Sequence, residues 1–317
     1  MMKTMNAPTT ARRIREFYAI VAVDVDGAGP YNAAVVQIPR ARGLSPEQFL
    51  AQYAAPGRPA IIEGLIDRWP ALHRWTPDFW RSRFGTRLVS TDEGELSMAA
   101  LVDAALASTE VSPAPYLRSE LLDDFEGLAP DVQPSPALCE PNWYRGALFR
   151  VWNPFARIGN ETRGRYELFI GGAGRAFPYV HYDAPGTHTF IHQLQGRKRL
   201  LLFAPDQSDA LYPESAAQFH LSRIADVEHV PAAEFPQFAS ATPWVAELGP
   251  GDTLFLPAGW WHFARMQSFS VSIAVDVLNE TSWASVRDFM ARKRRHGAAS
   301  PLAAAWLRVI GLRHGQW

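Results

Sequence analysis

The sequence is poor in cysteine, since Cys139 is the only one among 317 residues. A single thiol excludes an internal disulfide framework and a cysteine-rich zinc site. Long apolar runs are also missing. No stretch approaches the roughly 18 residues of a membrane span, and Met1 to Arg13 has no apolar core like that of a signal peptide. We therefore expect no membrane partner and a cytoplasmic location.

An excess of charge of one sign is missing as well. The chain has 31 Lys and Arg against 32 Asp and Glu, for a formal net charge of −1. A general nucleic-acid-binding surface is therefore not expected. The one basic run, Arg292 to Arg295, comes just before Gly297, which is typical of a helix C-terminus. We prefer that interpretation to a nucleic-acid patch.

The first half of the chain carries clear signals for the start of helices. Ser45 and Thr76 are each followed by proline and an acidic residue, the pattern of an N-cap with Pro at the first helical position. Apolar side chains recur on one side at helical spacing over residues 96–107. Short β-like runs predict strands within 17–38 and at 60–62, 148–152 and 165–170.

From Gly174 onward the pattern is mostly β. Residues 189–193 and 198–203 flank the turn at Gln195 to Arg197 and predict a hairpin. Further strands are predicted at 244–248, 253–256 and 270–277, followed by helices at 282–295 and 301–312. The most economical fold is mostly β with flanking helices, with a core of two facing sheets in a jelly roll, or double-stranded β-helix.

The stretch YVHYDAPGTHTFIHQLQGRKRLLLFAP, at 179–205, holds the only His-x-Asp of the sequence, His181-Tyr182-Asp183. On a β-strand, side chains two residues apart share a face, so this imidazole and carboxylate point the same way. His262, at the end of GDTLFLPAGWWH, is a candidate third ligand. Two His and one carboxylate are typical of non-heme Fe(II) oxygenases. With nine His in the chain, the alternative is a chance pattern of buried structural histidines.

Lys198 follows the predicted turn and precedes the apolar run LLLFAP, with only Arg199 between them. A buried ammonium requires an anionic partner, because leaving it unpaired is costly. A metal-chelating dicarboxylate would provide that partner. The alternative is an exposed edge position with the aliphatic stem lying along the sheet.

These motifs resemble the JmjC-type, cupin-fold oxygenases that depend on Fe(II) and 2-oxoglutarate. The similarity rests on HYD followed by G-x-K-R and LF-x-P-D-Q, on GD-x-L-F-L-P-x-G-W-W-H, and on the entry segment RPAIIEGLIDRWPALHRWTPDFWRSRFG. It is greatest to the branch containing the asparaginyl hydroxylase that inhibits hypoxia-inducible factor. The resemblance implies a catalytic domain over residues 45–280, an N-terminal extension with short strands over 1–44 and a C-terminal helical segment over 281–317.

The resemblance also implies roles for six residues, three at the metal and three at the cosubstrate. The iron ligands would be His181, Asp183 and His262. Lys198 and Tyr116 would bind the distal carboxylate of 2-oxoglutarate, and Thr189 would face the same molecule. The family often has Thr or Ser three residues before the first histidine, where this chain has Pro178, and often has Asn near the positions of Ile191 and Asp276. These departures bear on cosubstrate affinity.

The implied activity is that of an Fe(II)- and 2-oxoglutarate-dependent dioxygenase that uses O2 to hydroxylate an unactivated C–H bond. The resembled branch favours an amino-acid side chain of a peptide or protein as the substrate. A small-molecule hydroxylase that tailors a natural product is one alternative, and a non-catalytic cupin-like binding module is another. C-terminal helices form a homodimer in the resembled branch, so a homodimer is expected here.

Other polar and aromatic residues near these motifs have secondary interpretations. We interpret His192 as structural, because it falls on the strand face opposite Thr189. His188 is expected in a loop at the lip of the site, where it is either structural or in contact with substrate. We interpret Trp260 and Trp261 as wedging the barrel mouth, with stacking on substrate as the alternative. Contacts at the rim are further predicted for Arg118 and Asn153.

Overall fold

The computed structural model describes residues 35–151, 164–297 and 301–316. Two β-sheets, of seven and four strands, form its core, and a separate two-stranded sheet lies outside them. The strands are β1 (Val36–Gln37), β2 (Arg40–Arg42), β3 (Ala60–Glu63), β4 (Leu88–Thr91), β5 (Gly94–Ser97), β6 (Leu117–Leu121), β7 (Glu167–Gly171), β8 (His188–Gln195), β9 (Lys198–Phe203), β10 (Trp244–Leu248), β11 (Asp252–Leu256), β12 (Trp261–Met266) and β13 (Ser270–Val277).

The two large sheets pack face to face. The seven-stranded sheet has the order β2-β3-β11-β8-β13-β7-β6, and the four-stranded sheet has the order β1-β10-β9-β12. Leu200 and Leu202 of β9 meet Leu254 and Leu256 of β11 in one buried cluster between them. Burying such a side chain fully stabilises the fold by about 1.5–3 kcal/mol. The predicted fold, mostly β with a jelly-roll core and flanking helices, is confirmed.

Helices flank this core, and in the sequence they occur before, between and after its strands. They are α1 (Pro46–Phe49), which continues into a π-helical turn (Leu50–Ala54), then α2 (Ala71–Arg74), α3 (Pro77–Phe84), α4 (Met98–Ala107), α5 (Ala147–Val151), α6 (Glu280–Arg295) and α7 (Pro301–Arg313). Ser45 forms a capping box with Gln48 at the start of α1, and the hydroxyl of Thr76 accepts from the backbone N–H of Phe79 at the start of α3. Both predicted helix starts are confirmed.

The predicted strand at 148–152 is wrong, because its described part belongs to helix α5. A short apolar run cannot be assigned to helix or strand by periodicity alone. Here packing decides the conformation, since Leu148 and Phe149 join an apolar cluster with Trp143 and Tyr144. The rings of Phe149 and Tyr144 meet edge to face at 5.0 Å.

The predicted hairpin between β8 and β9 is also wrong. Both strands exist, but β8 pairs with β11 and β13 in the seven-stranded sheet, whereas β9 pairs with β10 and β12 in the four-stranded sheet. The chain crosses between the sheets at Gly196, whose φ is +68°. A Cβ at this residue would lie 1.7 Å from the carbonyl oxygen of Phe269, so the crossing requires glycine.

The C-terminal helix α6 packs on its own chain. Its apolar stripe of Trp283, Val286, Phe289 and Met290 is buried in a cluster that includes Phe219. The basic run Arg292 to Arg295 forms its last turn, and Gly297 follows with φ +72°, as the sequence predicted for a helix end. The homodimer through C-terminal helices therefore stays a prediction.

Some predictions concern residues that the structure does not describe. The strands expected before Val35 and the rim position of Asn153 lie outside the described residues. The domain division at residues 44 and 280 stays a prediction. Within the described ranges, no helix combines the length and the apolar character needed to cross a bilayer.

Candidate metal centre and its cavity

Backbone pairing places two of the predicted metal ligands side by side. The segment before His181 runs antiparallel to β12, and the backbone N–H of Phe177 donates to the carbonyl of Ala264 at 2.8 Å. His181 and His262 then exchange two backbone hydrogen bonds, of 3.2 and 2.7 Å. Directly opposed residues of this kind project their side chains in parallel. The two imidazole rings lie 4.3 Å apart, centroid to centroid.

Asp183 completes the group. Its Oδ1 lies 3.6 Å from Nε2 of His181 and 3.9 Å from Nε2 of His262. One ligand atom from each of the three residues lies within 4.8 Å of the other two. The structure therefore brings together the three residues that the sequence analysis proposed as a metal site.

Hydrogen bonds on the far side of each ring fit the histidines for metal binding. Nδ1 of His181 lies 3.3 Å from the carbonyl oxygen of Tyr179, and Nδ1 of His262 lies 3.3 Å from that of Trp260. A carbonyl only accepts, so each Nδ1 carries the proton and each Nε2 presents a lone pair to the centre. Burial and the neighbouring His181 lower the pKa of His262 to about 4, so it is neutral near pH 7.

Thr189 holds the carboxylate of this centre. Its hydroxyl lies 2.5 Å from Oδ2 of Asp183 and 3.0 Å from Oδ1 of Asp276. Burial alone would raise the pKa of Asp183, but the neighbouring imidazoles of His262 and His181 and the hydrogen bond from Thr189 hold it below its usual range. The observed role of Thr189 is thus to orient Asp183, and its contact with cosubstrate stays a prediction.

Lys198 is a buried amine that faces the same cavity. Its side chain lies on β9, is 4% exposed, and donates through Nζ to the hydroxyl of Ser272. Nζ also lies 5.6 Å from the ring centroid of Phe169. Burial lowers its pKa to about 7, and none of the carboxylates in the described part of the chain opposes that effect. The exposed-edge alternative is therefore wrong, and the amine is suited to an anionic ligand.

All six predicted site residues line one cavity of about 400 Å³ between the sheets. Tyr116 is buried in its wall, and burial raises the pKa of its hydroxyl against the opposing charge of Arg118. The cavity also includes residues that the sequence analysis did not propose, of which Ser272, Ala274 and Asp276 share one face of β13. Small and polar residues at alternate positions of an otherwise apolar strand were the signal that could have found them.

The other singled-out histidines are structural. His192 lies within 2.9 Å of the hydroxyl of Thr253 and packs against Trp69 at 4.8 Å, as expected. His188 begins β8 instead of occupying a lip. Its Nδ1 accepts from the backbone N–H of Ala258, and its Nε2 lies 2.8 Å from the hydroxyl of Thr281.

The two tryptophans before His262 are held away from the cavity. The indole N–H of Trp260 donates to the carbonyl of Gly57, and that of Trp261 donates to the hydroxyl of Ser208. Both side chains are buried, and neither lines the cavity wall. They pack beside the strand that carries His262, and the alternative that they stack on substrate is not supported.

The Cupin-like domain family matches residues 46–278. The chain belongs to this family. The match covers the strands of both large sheets except β1 and β2, includes all six predicted site residues, and confirms the JmjC and cupin resemblance. Fe(II), 2-oxoglutarate and O2 are the cofactors of JmjC enzymes of this family, and the donor set of two imidazoles, one carboxylate and a buried amine fits them.

Curated relatives show the same relationship at low identity. Lysine-specific demethylase 8 of Danio rerio is 27% identical over 252 residues, which are 75% of this chain and 57% of that protein. Jumonji C domain-containing protein 5 of Drosophila melanogaster is 27% identical over 284 residues, or 79% and 66%. Arginine-specific demethylase JMJ22 of Arabidopsis thaliana is 22% identical over 264 residues, or 80% and 48%. This Cupin-like chain thus spans between about half and two thirds of the length of these relatives.

Proposed function

We propose that this chain is an Fe(II)- and 2-oxoglutarate-dependent oxygenase that hydroxylates a C–H bond on an amino-acid side chain of a peptide or protein. One observation carries the proposal. The candidate ligand atoms of His181, Asp183 and His262 converge in a cavity whose wall also holds the buried amine of Lys198. A metal site beside an amine that has no carboxylate partner among the described residues suits a cosubstrate that chelates at one end and carries a carboxylate at the other.

The chain's own residues would hold and orient the reactants. When bound, Fe(II) with 2-oxoglutarate and O2 supplies the oxidation of an unactivated C–H bond, while 2-oxoglutarate becomes succinate and CO2. Thr189 keeps Oδ2 of Asp183 engaged, so that Oδ1 faces the two imidazoles. Lys198 would bind the distal carboxylate of 2-oxoglutarate, with Tyr116 in the same wall. The buried walls would keep water from the reacting atoms.

Relatives suggest the kind of substrate. The names of two of them specify lysine and arginine and a demethylase activity. Hydroxylation of a methyl group on nitrogen gives an unstable product that releases formaldehyde, so demethylation and stable hydroxylation begin with the same C–H oxidation. The carbon presented to the metal decides between them. Demethylation of a methylated basic side chain is therefore the second candidate function.

The test is succinate formation from 2-oxoglutarate by the Fe(II)-loaded protein. Peptide pools carrying Lys, Arg, Asn, Asp or His, with and without N-methyl groups, are supplied in parallel with small-molecule pools. We expect turnover that a peptide pool stimulates and that His262→Ala abolishes, because the variant lacks one ligand. Mass spectrometry of the stimulating peptide separates a gained oxygen from a lost methyl group.

Two outcomes would contradict this proposal. Stimulation by small molecules alone would indicate a tailoring hydroxylase in place of a protein-modifying enzyme. No succinate with any pool, together with no 2-oxoglutarate binding by the metal-loaded protein, would leave a non-catalytic binding module.

A further inference from the structure

Strand β6 is irregular at the point where it borders the cavity. Leu117 pairs with Ile170 and Glu120 pairs with Leu168, so Arg118 and Ser119 together stand opposite Phe169 alone. Ser119 takes a left-handed conformation, with φ +56°, although it has a side chain. Such a β-bulge re-aims side chains, and strained backbone of this kind occurs at functional sites. Its effect here is to bring the exposed side chain of Ser119 into the cavity wall.

Arg118, in the same bulge, lies next to an aromatic ring that lines the cavity. Cζ of Arg118 lies 5.4 Å from the ring centroid of Phe177. Phe177 in turn stacks on the imidazole of His181, with centroids 4.6 Å apart and ring planes at 23°. These two separations place the guanidinium within about 10 Å of the His181 ring. Arg118 does not itself line the cavity wall, but its guanidinium lies against Phe177, which does, and that ring separates it from a candidate ligand.

Arg118 contrasts with the other arginines around this site. Arg175 is bound to Asp92 and Glu93, and Arg265 is bound to Asp226 and Glu228. Arg118 is half-buried and lies over the face of Phe177, and no carboxylate in the described part of the chain forms an ion pair with it. A guanidinium has five N–H donors in a fork that matches a carboxylate. Its donors are therefore available to a ligand at the cavity.

We infer that Arg118 is a specificity-determining residue that receives a carboxylate of the substrate, an inference that rests on the proposed function. An extended peptide advances about 3.3 Å per residue. The span of about 10 Å then corresponds to about three residues, so the carboxylate belongs to an Asp or Glu within three positions of the modified residue. A small-molecule acid is the other source of the same group.

A binding selection tests this inference without requiring turnover. Random peptides displayed on their encoding nucleic acid are selected on the protein loaded with Mn(II) and 2-oxoglutarate in the absence of O2. We expect acidic residues to be enriched by the wild type and basic residues by Arg118→Glu. The matched control is Arg223→Glu, because Arg223 also lies over aromatic rings, those of Tyr212 and Phe235, but neither of these rings lines the cavity, whereas Phe177 does. It should select the same peptides as the wild type.

Kinetics with a selected peptide supply the second measurement. Arg118→Gln should raise KM about tenfold or more with little change in kcat, because a hydrogen-bonded charge contact at the rim contributes to binding and not to chemistry. A peptide with Lys in place of its acidic residue should restore the activity of Arg118→Glu. If peptides fail, stimulation of succinate formation by carboxylates but not by their amides, lost in Arg118→Glu, identifies a small-molecule acid as the source.

The failures can be told apart. Acid-dependent selection, with neither succinate formation nor 2-oxoglutarate binding, would keep the role of Arg118 and refute the oxygenase. Succinate formation that is indifferent both to acidic groups and to Arg118 would refute the role of Arg118 and keep the oxygenase. Selection of the same peptides by wild type and Arg118→Glu would likewise overturn the inference.

Discussion

Replacing Lys198 by methionine removes the buried amine while nearly conserving its volume. Burial lowers the pKa of Lys198 from 10.5 to about 7. Because one pKa unit corresponds to about 1.4 kcal/mol, holding this ammonium without an anion costs the folded protein about 5 kcal/mol. A bound carboxylate would offset that cost, which is why the amine should strongly favour a dicarboxylate ligand.

The pH dependence of stability has a definite sign. Between pH 7 and 10.5 the unfolded chain binds a proton at Lys198 that the folded protein does not, so the free energy of unfolding rises with pH across this window. Lys198→Met cannot titrate there. Urea unfolding of the ligand-free protein should therefore show a rise with pH in the wild type and a flatter profile in the variant.

Calorimetry on the Mn(II)-loaded protein without O2 measures the effect on the cosubstrate. Losing one partner of a buried charge pair costs about 3–5 kcal/mol, which corresponds to 2-oxoglutarate binding at least about 100-fold weaker in Lys198→Met. At about pH 8, binding of 2-oxoglutarate to the wild type should be accompanied by the uptake of close to one proton. This uptake is measured as a dependence of the binding enthalpy on the buffer that is used.

Lys293→Met is the matched control, because Nζ of Lys293 donates to the carbonyl of Ala217 away from the cavity. It should bind 2-oxoglutarate like the wild type. Equal affinity in Lys198→Met and wild type, or binding without proton uptake, would refute the assignment of Lys198 to the cosubstrate.

Four further predictions concern the metal, its support, the fold and assembly. His181→Ala and Asp183→Ala should each lose the metal, and undiminished metal content by elemental analysis in both would remove the centre. Thr189→Val should weaken Mn(II) binding about 10–100-fold, because Asp183 loses its orienting hydroxyl, whereas Thr189→Ser should retain it; equal loss in both variants would argue against the hydroxyl. Asp131→Ala leaves the buried indole N–H of Trp75 without its acceptor and should lower the free energy of unfolding by about 1–3 kcal/mol in urea, at an unchanged m-value. Light scattering should give the mass of a homodimer, and a monomer mass at micromolar concentration would contradict it.

Features set by local chemistry could be predicted from the sequence. The caps at Ser45 and Thr76 depend on side-chain and backbone groups within three residues, so they can be read directly. The metal triad was found because His-x-Asp on an extended segment places two ligands together. Whether His262 joins His181 and Asp183 depends on the pairing of that segment with β12, and for this pairing the family resemblance was the only guide.

Features set by distant packing could not be predicted. The turn at Gly196 has the residue composition of a hairpin turn. Gly196 nevertheless packs closely against the backbone of Phe269, and the chain continues from there into the other sheet. The bulge at Ser119 gives no local signal, because serine is not a residue that marks left-handed backbone. The helix at Ala147–Val151 depends on an apolar cluster assembled from residues far apart in sequence.

Because the chain crosses from one large sheet to the other at Gly196, residues of both sheets form the site. The distance between the two sheets therefore sets the width of the site. Lys198 and His262 belong to the four-stranded sheet, whereas Ser272, which accepts from Lys198, and Thr189, which orients Asp183, belong to the seven-stranded sheet. The side chains packed between the two sheets therefore set the distance between the residues that would hold the reactants. Trimming Leu254, which does not line the cavity, would let the sheets settle closer and narrow the gap that a dicarboxylate must bridge. If the proposed function holds, the width of the apolar interior would then help to decide which chain length of dicarboxylic acid fits the site.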